Sequence, residues 1–155
     1  DDSFFVKCDE YGANNNKQLL HNENGRPSVL IANLRYNNKL RSFIIPMKSN
    51  INGTESSANY FPLPPNPRTR SGFRHGIYYV KLFPISKKYL HPYLYDKSAY
   101  LSSIKAIIDE PKNTKTIVDA CQEYLNDYHN GKRHKYTPDI DKIIEMLDSK
   151  DNENK

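Results

Sequence analysis

The chain has 155 residues and a formal net charge of +5 at pH 7, with 37% hydrophobic and 26% charged residues. This balance predicts one globular domain, which we place at residues 1–150, followed by a frayed tail at residues 151–155. The positive charge favours a polyanionic partner, and twelve Tyr and six Phe offer stacking surface. Because the apolar runs are too short to cross a bilayer and no signal-peptide pattern opens the chain, we expect a cytoplasmic protein without membrane contact.

Alternating apolar residues at the N-terminus, Phe4, Val6 and Cys8, predict a short first strand. The only other cysteine is Cys121. Since neither cysteine has metal-binding or redox spacing, both are expected to be small apolar fillers in a reducing compartment.

A β-hairpin is predicted by two apolar runs, Val29 to Tyr36 and Lys39 to Met47, which flank the pair Asn37-Asn38. Asn tolerates the positive φ that tight hairpin turns require. Pairing outward from the turn sets Leu34 opposite Arg41, Ala32 opposite Phe43, Leu30 opposite Ile45, Ile31 with Ile44 and Val29 with Pro46. Apolar residues on both faces suggest that the hairpin lies in the middle of a packed sheet.

Pro46 lacks an N–H group, so it should end the second strand and send Lys48, Ser49 and Asn50 onto a loop. Residues 50–75 show no periodicity and include four prolines, which predicts a long irregular loop. A strand from Ile77 to Ile85, ended by Pro84, should follow that loop.

Three apolar stripes in the last third of the chain predict helices, the last of them with Thr137 as N-cap. Their members are Tyr100, Leu101, Ile104, Ile107 and Ile108; then Ile117, Cys121, Tyr124, Leu125 and Tyr128; then Ile140, Ile143, Ile144 and Leu147. Strands followed by helices indicate an α+β fold, an antiparallel sheet with helices packed on one side.

Several chemistries lack their sequence motifs. The chain has no Walker-type phosphate loop, no dinucleotide fingerprint, no nucleophile elbow and no histidine pair with ligand spacing, so neither a cofactor nor a metal is expected. Metal-free cleavage of RNA remains feasible, because Lys, Arg, Ser, Tyr and His together can move the protons and stabilise the phosphorane. Lys48 and Ser49 fit such a site.

Basic clusters offer phosphate contacts on two other segments. Arg68, Arg70, Arg74 and His75 end the proline-rich loop, and Lys132 to Lys135 form a basic run between two predicted helices. Guanidinium and ammonium groups suit RNA phosphates. The alternative for both clusters is a solvated surface with no ligand.

Two blocks of sequence carry a family resemblance. The run Phe43 to Ser49 reads Phe-Ile-Ile-Pro-Met-Lys-Ser after an aliphatic strand, and the block from Arg74 to Ile85 follows the proline-rich loop. In these residues the chain resembles the toxins of type III toxin–antitoxin systems, the ToxN/AbiQ family, and looks most like its AbiQ branch. The resemblance covers about Phe4 to Leu147.

The resemblance implies a metal-independent endoribonuclease that leaves a 2′,3′-cyclic phosphate and a 5′-hydroxyl. It also implies a compact, twisted antiparallel sheet, similar to that of the Kid/MazF toxins, with about three C-terminal helices around it. The implied partners are an antitoxin RNA of tandem repeats folded as pseudoknots and the cellular and phage RNA substrates, with room for a higher-order protein–RNA assembly. The implied roles are bacteriostasis, phage abortive infection or plasmid maintenance.

Site residues are carried over one by one. Ser49 matches the active-site Ser of the family. Lys48 replaces the Thr of ToxN and is expected to stabilise the phosphorane. His75 is expected to act as an acid–base group or a phosphate contact, since imidazole titrates near neutral pH. The expected RNA-binding residues are Tyr36, Lys39, Arg41, Arg68, Arg70, Arg74, Lys132, Arg133 and Lys135. Two alternatives remain: a non-catalytic RNA-binding module, and a Kid/MazF-like toxin with a protein antitoxin.

Overall fold

The computed structural model describes residues 2–19, 30–91 and 99–152. For residues 150–152 only the backbone is described. These residues form an α+β protein with four α-helices and two three-stranded antiparallel sheets. The predicted fold class is therefore confirmed at the level of α+β with antiparallel strands.

The N-terminal segment is a helix, so the predicted first strand is wrong. Helix α1 spans Asp2–Glu10 and buries Phe4, Phe5 and Cys8. These positions have helical i, i+1, i+4 spacing, whereas Val6, which the alternating pattern would have buried, is 53% exposed. The Phe4 ring stacks on Phe83 with centroids 5.7 Å apart, so contacts with a distant strand select the helix.

The hairpin has the predicted register. Strands β1 (Leu30–Tyr36) and β2 (Lys39–Ile45) pair antiparallel, and the pairs include Leu34 with Arg41, Ala32 with Phe43 and Leu30 with Ile45. Asn37 and Asn38 adopt φ values of 49° and 60°, as a tight turn of this type requires. Val29, predicted to pair with Pro46, lies outside the described residues.

The hairpin does not lie in the middle of its sheet. Among the strands of the described residues the order is β1-β2-β6, with β6 at Phe83–Ile85, so β1 is an edge strand there, and Ile31 is 47% exposed. The side chain of Gln122 caps this edge, donating to the carbonyl of Arg35 and accepting from its N–H at 2.9 and 2.8 Å. Within the part of the chain that the structure describes, a helix side chain thus protects this edge of the sheet.

Pro46 ends β2 as predicted, but the residues after it form a strand and not a loop. Strand β3 (Met47–Asn52) starts a second sheet of order β3-β5-β4, with β4 at Tyr60–Leu63 and β5 at Phe73–Tyr78. Residues 50–52, 60–63 and 73–75 of the predicted irregular loop therefore lie in strands, because pairing with distant segments supplies their backbone hydrogen bonds.

A 3₁₀ turn at Tyr79–Lys81 interrupts the predicted strand at 77–85 and carries the chain from β5 back to β6 in the first sheet. Pro84 lies inside β6 and does not end it, which is tolerated because β6 is an edge strand. The N–H of Tyr78 donates to the carbonyl of Pro46 at 2.9 Å, so the two crossings between the sheets lie side by side.

Helices α2 (Ala99–Asp109), α3 (Pro111–His129) and α4 (Ile140–Asn152) follow the strands, and their predicted stripes supply the buried Ile104, Ile108, Ile117, Leu125 and Ile140. Helix α3 packs on β1 over the face that carries Ala32 and Phe43, and α1 packs over the other face, on Ile44 and Phe83, so the prediction that helices cover only one side of the sheet is wrong. Residues 151–152, predicted to belong to a frayed tail, are the last residues of α4, and residues 153–155 lie outside the described part.

Thr137 is not the N-cap of α4. The Asp139 side chain accepts the N–H of Lys142 at 3.1 Å, so Asp139 caps the helix, while Thr137 is buried and shares a 2.6 Å hydrogen bond with the Tyr124 hydroxyl. The prediction placed the cap two residues early because Thr-Pro is itself a common helix start.

Cys8 and Cys121 are free and fully buried, as predicted for apolar fillers. Burial raises the pKa of both thiols to about 12, which keeps them protonated at neutral pH. Of the helices in the described residues, none combines the length and the apolar content that a membrane span requires.

Candidate functional site

A β-bulge in β3 brings Ser49 beside His75. Lys48 pairs with Gly76 and Ile51 pairs with Arg74, so Ser49 and Asn50 together face the single residue His75 on β5. A bulge of this kind re-aims the side chains of its strand and is frequent next to active sites. It unites the two predicted catalytic residues that are 26 positions apart in the chain.

The two bulge residues hold the segment from Asn66 to Arg70. Asn66 Nδ2 donates to Ser49 Oγ at 2.8 Å. Asn50 Nδ2 donates to the carbonyl of Arg68 at 3.0 Å, and the N–H of Arg70 donates to Asn50 Oδ1 at 2.9 Å. Because Ser49 Oγ is an acceptor in its bond with Asn66, its own proton remains available to a ligand oxygen.

His75 is nearly buried, with 3% of its surface exposed, and its tautomer follows from its contacts. Nδ1 lies 2.7 Å from the carbonyl oxygen of Pro64, which can only accept, so Nδ1 carries the proton. In the neutral ring Nε2 is then the basic nitrogen. The hydroxyl of Tyr100 lies 3.5 Å from Nε2 and 3.1 Å from Nδ1.

Tyr100 links the histidine to the serine. Burial raises the pKa of the Tyr100 hydroxyl, and a hydrogen bond with the Asn66 side chain acts in the opposite direction. Ser49, Asn66, Tyr100 and His75 therefore form one connected set of hydrogen bonds, which we call the Ser49 cluster. The cluster offers two hydroxyl groups and one imidazole, and the Tyr100 phenol lies between the buried imidazole and the surface.

Lys48 faces the other side of the sheet. Successive side chains of a strand point to opposite faces, and the Lys48 ammonium lies 4.8 Å from the centre of the Tyr78 ring. The Tyr78 hydroxyl donates to Glu55 at 2.8 Å. Lys48 is thus adjacent to Ser49 in the chain but belongs to a different surface from the Ser49 cluster.

Two of the predicted arginines, Arg68 and Arg70, have main-chain groups held by Asn50, whereas Arg74 precedes His75 on β5 and its side chain faces the opposite side of the sheet. Arg68, Arg70 and Arg74 are exposed, and the Arg70 guanidinium stacks 4.6 Å from the Phe73 ring. Arg74 Nε is 3.5 Å from the carbonyl of Gly53. Within the described residues none of the three arginines has a carboxylate partner within 4 Å, so their charge faces solvent.

The hairpin residues predicted to bind RNA lie away from the Ser49 cluster, and two of them are hydrogen-bonded to carboxylates. Tyr36 is 3% exposed and donates to Asp141 at 2.6 Å; burial and that carboxylate raise the pKa of its hydroxyl. Arg41 forms two hydrogen bonds with Asp148, at 2.9 and 2.7 Å, and Lys39 is exposed beside the same carboxylate. The structure does not bring these residues to the Ser49 cluster.

The basic run also lies apart from the Ser49 cluster. Lys132 pairs with Asp127 at 3.1 Å, Arg133 pairs with Asp141 at 2.7 Å, and the ammonium of Lys135 lies 4.8 Å from the Tyr136 ring. Lys132 and Arg133 line an open groove of about 830 Å³ beside residues 57–62. A second groove of about 600 Å³ lies at the hairpin turn, and neither is lined by Ser49 or His75.

Sequence reasoning missed Asn50, Asn66 and Tyr100. Asn66 precedes Pro67 and its Oδ1 accepts the N–H of Arg68 at 2.8 Å, an Asx turn that the Asn-Pro pair could have indicated. Tyr100 was predicted only as part of an apolar stripe, and nothing local signals that its hydroxyl meets His75.

The described residues contain no group of three or more His, Cys, Asp or Glu side chains arranged to hold a metal ion. No protein-family model, no curated protein sequence and no solved structure matches the chain. The ToxN/AbiQ resemblance of the two sequence blocks therefore stays a prediction.

Proposed function

We propose that this protein is a metal-independent endoribonuclease toxin of a type III toxin–antitoxin system, similar to the ToxN/AbiQ family. It would cleave RNA by attack of the 2′-hydroxyl, giving 2′,3′-cyclic phosphate and 5′-hydroxyl ends. The observation that carries the proposal is the Ser49 cluster, which joins Ser49 to His75 through Asn66 and Tyr100 next to the segment that carries the exposed Arg68 and Arg70.

Each part of the reaction has a candidate group in this cluster. The free proton of Ser49 Oγ can bond to a phosphate oxygen and orient the scissile bond. His75 Nε2 is the basic nitrogen; it can take up the proton of the attacking 2′-hydroxyl through the Tyr100 hydroxyl and return a proton by the same route to the leaving 5′-oxygen, as general acid–base catalysis requires. Arg68 and Arg70, on the segment held by Asn50, supply positive charge for the phosphorane, and Arg74, on the opposite face of β5 from His75, supplies charge for neighbouring phosphates.

The proposal also includes a relationship to the Kid/MazF fold and a set of RNA partners. The two small sheets are proposed to correspond to the twisted Kid/MazF-like sheet, with helices α2, α3 and α4 as the C-terminal helices of the family. The inhibitor would be a repeat-derived pseudoknot antitoxin RNA, held in a protein–RNA assembly in the cytoplasm. The substrates would be cellular and phage RNA, and the biological outcome phage abortive infection. The arginines near Ser49 support these RNA contacts by their exposure and their lack of described carboxylate partners.

The test compares Ser49→Ala with Ser57→Ala, an exposed serine on the 3₁₀ turn at Ser57–Asn59. Purified proteins are incubated with RNA in EDTA, and the product ends are mapped. We expect Ser49→Ala to lose about a hundredfold or more in cleavage rate, as removal of one preorganised donor does. Antitoxin RNA should still bind to that variant, and Ser57→Ala should cleave like the wild type. Unchanged cleavage by Ser49→Ala would remove Ser49 from the mechanism.

One observation favours a second candidate, a non-catalytic RNA-binding module. His75 is 3% exposed and Ser49 Oγ is bound by Asn66, which is how a purely structural hydrogen-bond network would look. The same assay separates the candidates, since a binding module would retain RNA in EDTA without producing cyclic phosphate ends.

A further inference from the structure

An open groove lies between the turn of the β1–β2 hairpin and the second half of helix α3, outside the Ser49 cluster. Its volume of about 600 Å³ is within the range of ligand sites in proteins. The hairpin contributes residues 35–38 to its lining, and the helix contributes Gln122, Asn126 and His129. Four of these side chains are carboxamides, one is a guanidinium and none is acidic, so the described lining offers hydrogen bonds and positive charge.

Hydrogen bonds hold the two walls of the groove together. The Gln122 side chain accepts the N–H of Arg35 at 2.8 Å and donates to the Arg35 carbonyl at 2.9 Å. It also donates to Asn126 Oδ1 at 3.0 Å, which fixes the orientation of that carboxamide. The ring of His129 meets the buried Tyr36 ring edge-on, with the two centroids 5.5 Å apart. The hairpin is therefore held against α3, and a ligand would meet a preorganised lining.

Several of the lining groups have unused hydrogen-bonding capacity. In the part of the chain that the structure describes, the side chains of Arg35, Asn37 and Asn38 have no hydrogen-bond or ion-pair partner. The Asn126 side chain uses only its oxygen there, so both of its N–H groups remain. One guanidinium and three carboxamides are thus available to a ligand in the groove.

These groups match the chemistry of an unpaired RNA nucleotide. A carboxamide presents a donor and an acceptor side by side, as the edge of a nucleobase does, and Asn and Gln recognise bases through this pairing. Unpaired RNA bases also stack on exposed rings such as that of His129, and guanidinium groups bind phosphates. A ligand with anionic groups alone would use Arg35 and leave the four carboxamides without a partner, so the lining favours a base and a phosphate together.

We propose that this groove binds an unpaired nucleotide of an RNA ligand, with the base held by carboxamides that include Asn126 and the phosphate held by Arg35. The inference rests on the proposed function for its RNA ligand, but it concerns a separate place on the molecule, since neither Ser49 nor His75 lines the groove. Phosphate contacts carry no sequence information, whereas contacts to a base edge do. The groove therefore makes RNA binding dependent on base identity at a position outside the Ser49 cluster.

The experiment measures binding of 2′-O-methyl hexanucleotides of A, C or U by fluorescence anisotropy over a range of salt concentrations. These probes lack the 2′-hydroxyl and cannot be cleaved by the proposed reaction. Asn126→Ala removes one carboxamide from an exposed helix position, where Ala is well tolerated, and Arg35→Met removes the charge but keeps the bulk. The matched controls are Asn15→Ala and Lys112→Met, at exposed positions that do not line the groove.

We expect the wild type to bind one of the three hexamers more tightly than the others. Asn126→Ala should weaken that preferred complex about tenfold and bring the three affinities closer together, as loss of a base contact does. Arg35→Met should weaken binding of all three hexamers to a similar degree and lower the salt slope by about one, as loss of a phosphate contact does. Both control variants should match the wild type.

Three results would overturn the inference. If Asn126→Ala and Arg35→Met bind every hexamer as the controls do, the groove is not a nucleotide site. If the wild type binds the three hexamers equally or not at all, the groove does not read a base. If Asn126→Ala weakens all three equally and keeps the wild-type preference, its carboxamide does not contact the base. Failure of the proposed nuclease function would instead appear as absent RNA cleavage by the wild type, which these binding measurements do not use.

Discussion

Replacing Lys81 with Met should remove one contribution by which the stability of the protein rises with pH in the alkaline range. Burial and Lys48 lower the pKa of Lys81 from 10.5 to about 8, so the unfolded chain holds this proton more tightly than the folded chain. Between those two values the unfolded state binds more protons, and the free energy of unfolding therefore rises with pH. Below the folded pKa the penalty for the buried charge is fully present.

The magnitude follows from the same pKa difference. Lowering the pKa from 10.5 to about 8 corresponds to on the order of 3 kcal/mol of folding free energy. Other groups titrate in this range: burial raises the pKa of Cys8 and Cys121 from 9.0 to about 12, which makes the folded state less stable as pH rises. Because both proteins share these cysteines, the difference between wild type and Lys81→Met isolates the lysine.

The assay is urea denaturation followed by circular dichroism, from neutral pH to the alkaline limit of the folded state. Relative to Lys81→Met, the wild type should gain on the order of 3 kcal/mol across the interval. Lys48→Met should reduce that gain, since Lys48 contributes to the lowered pKa. A pH-independent difference would show that the Lys81 ammonium is well solvated. A difference of opposite sign would reveal an acidic partner of Lys81 and refute burial as the cause of its lowered pKa.

Two further predictions concern the scaffold. A Cβ at Gly76 would lie 2.3 Å from the carbonyl oxygen of Phe61, so Gly76→Ala should displace β4. We expect a loss of roughly 2–4 kcal/mol in the free energy of unfolding, measured by urea denaturation. A variant as stable as the wild type would contradict this close approach. Arg41 lowers the pKa of Asp148, so this carboxylate stabilises the fold above its unfolded pKa, and the stabilisation is lost as pH falls. Asp148→Asn should therefore cost about 1 kcal/mol of unfolding free energy at neutral pH and less in acid. The cost is small because the Asp148 side chain is partly exposed. A penalty that persists unchanged in acid would mean that charge is not the cause.

The hairpin and the helices could be read from the sequence because their signals are local. Asn37 and Asn38 accept positive φ and lie between two apolar runs, which sets the register of every pair that follows. The stripes of α2, α3 and α4 repeat with helical spacing, so their buried faces follow from the chain alone. Ser49, Lys48 and His75 were also predicted from the sequence as candidate catalytic residues, without knowledge of their surroundings.

The remaining features depend on contacts between distant segments, which no local pattern specifies. Phe4 and Cys8 fit a strand or a helix equally by spacing, and packing on Phe83 selects the helix. Residues 47–52 carry few strand signals and become β3 only because β5 supplies hydrogen bonds. The bulge then sets Ser49 and Asn50 opposite His75, while Lys48 lies on the other face above Tyr78. Sequence thus determined which groups are present, and the tertiary structure decided which of them meet, because backbone pairing and burial are satisfied across the whole chain and not segment by segment.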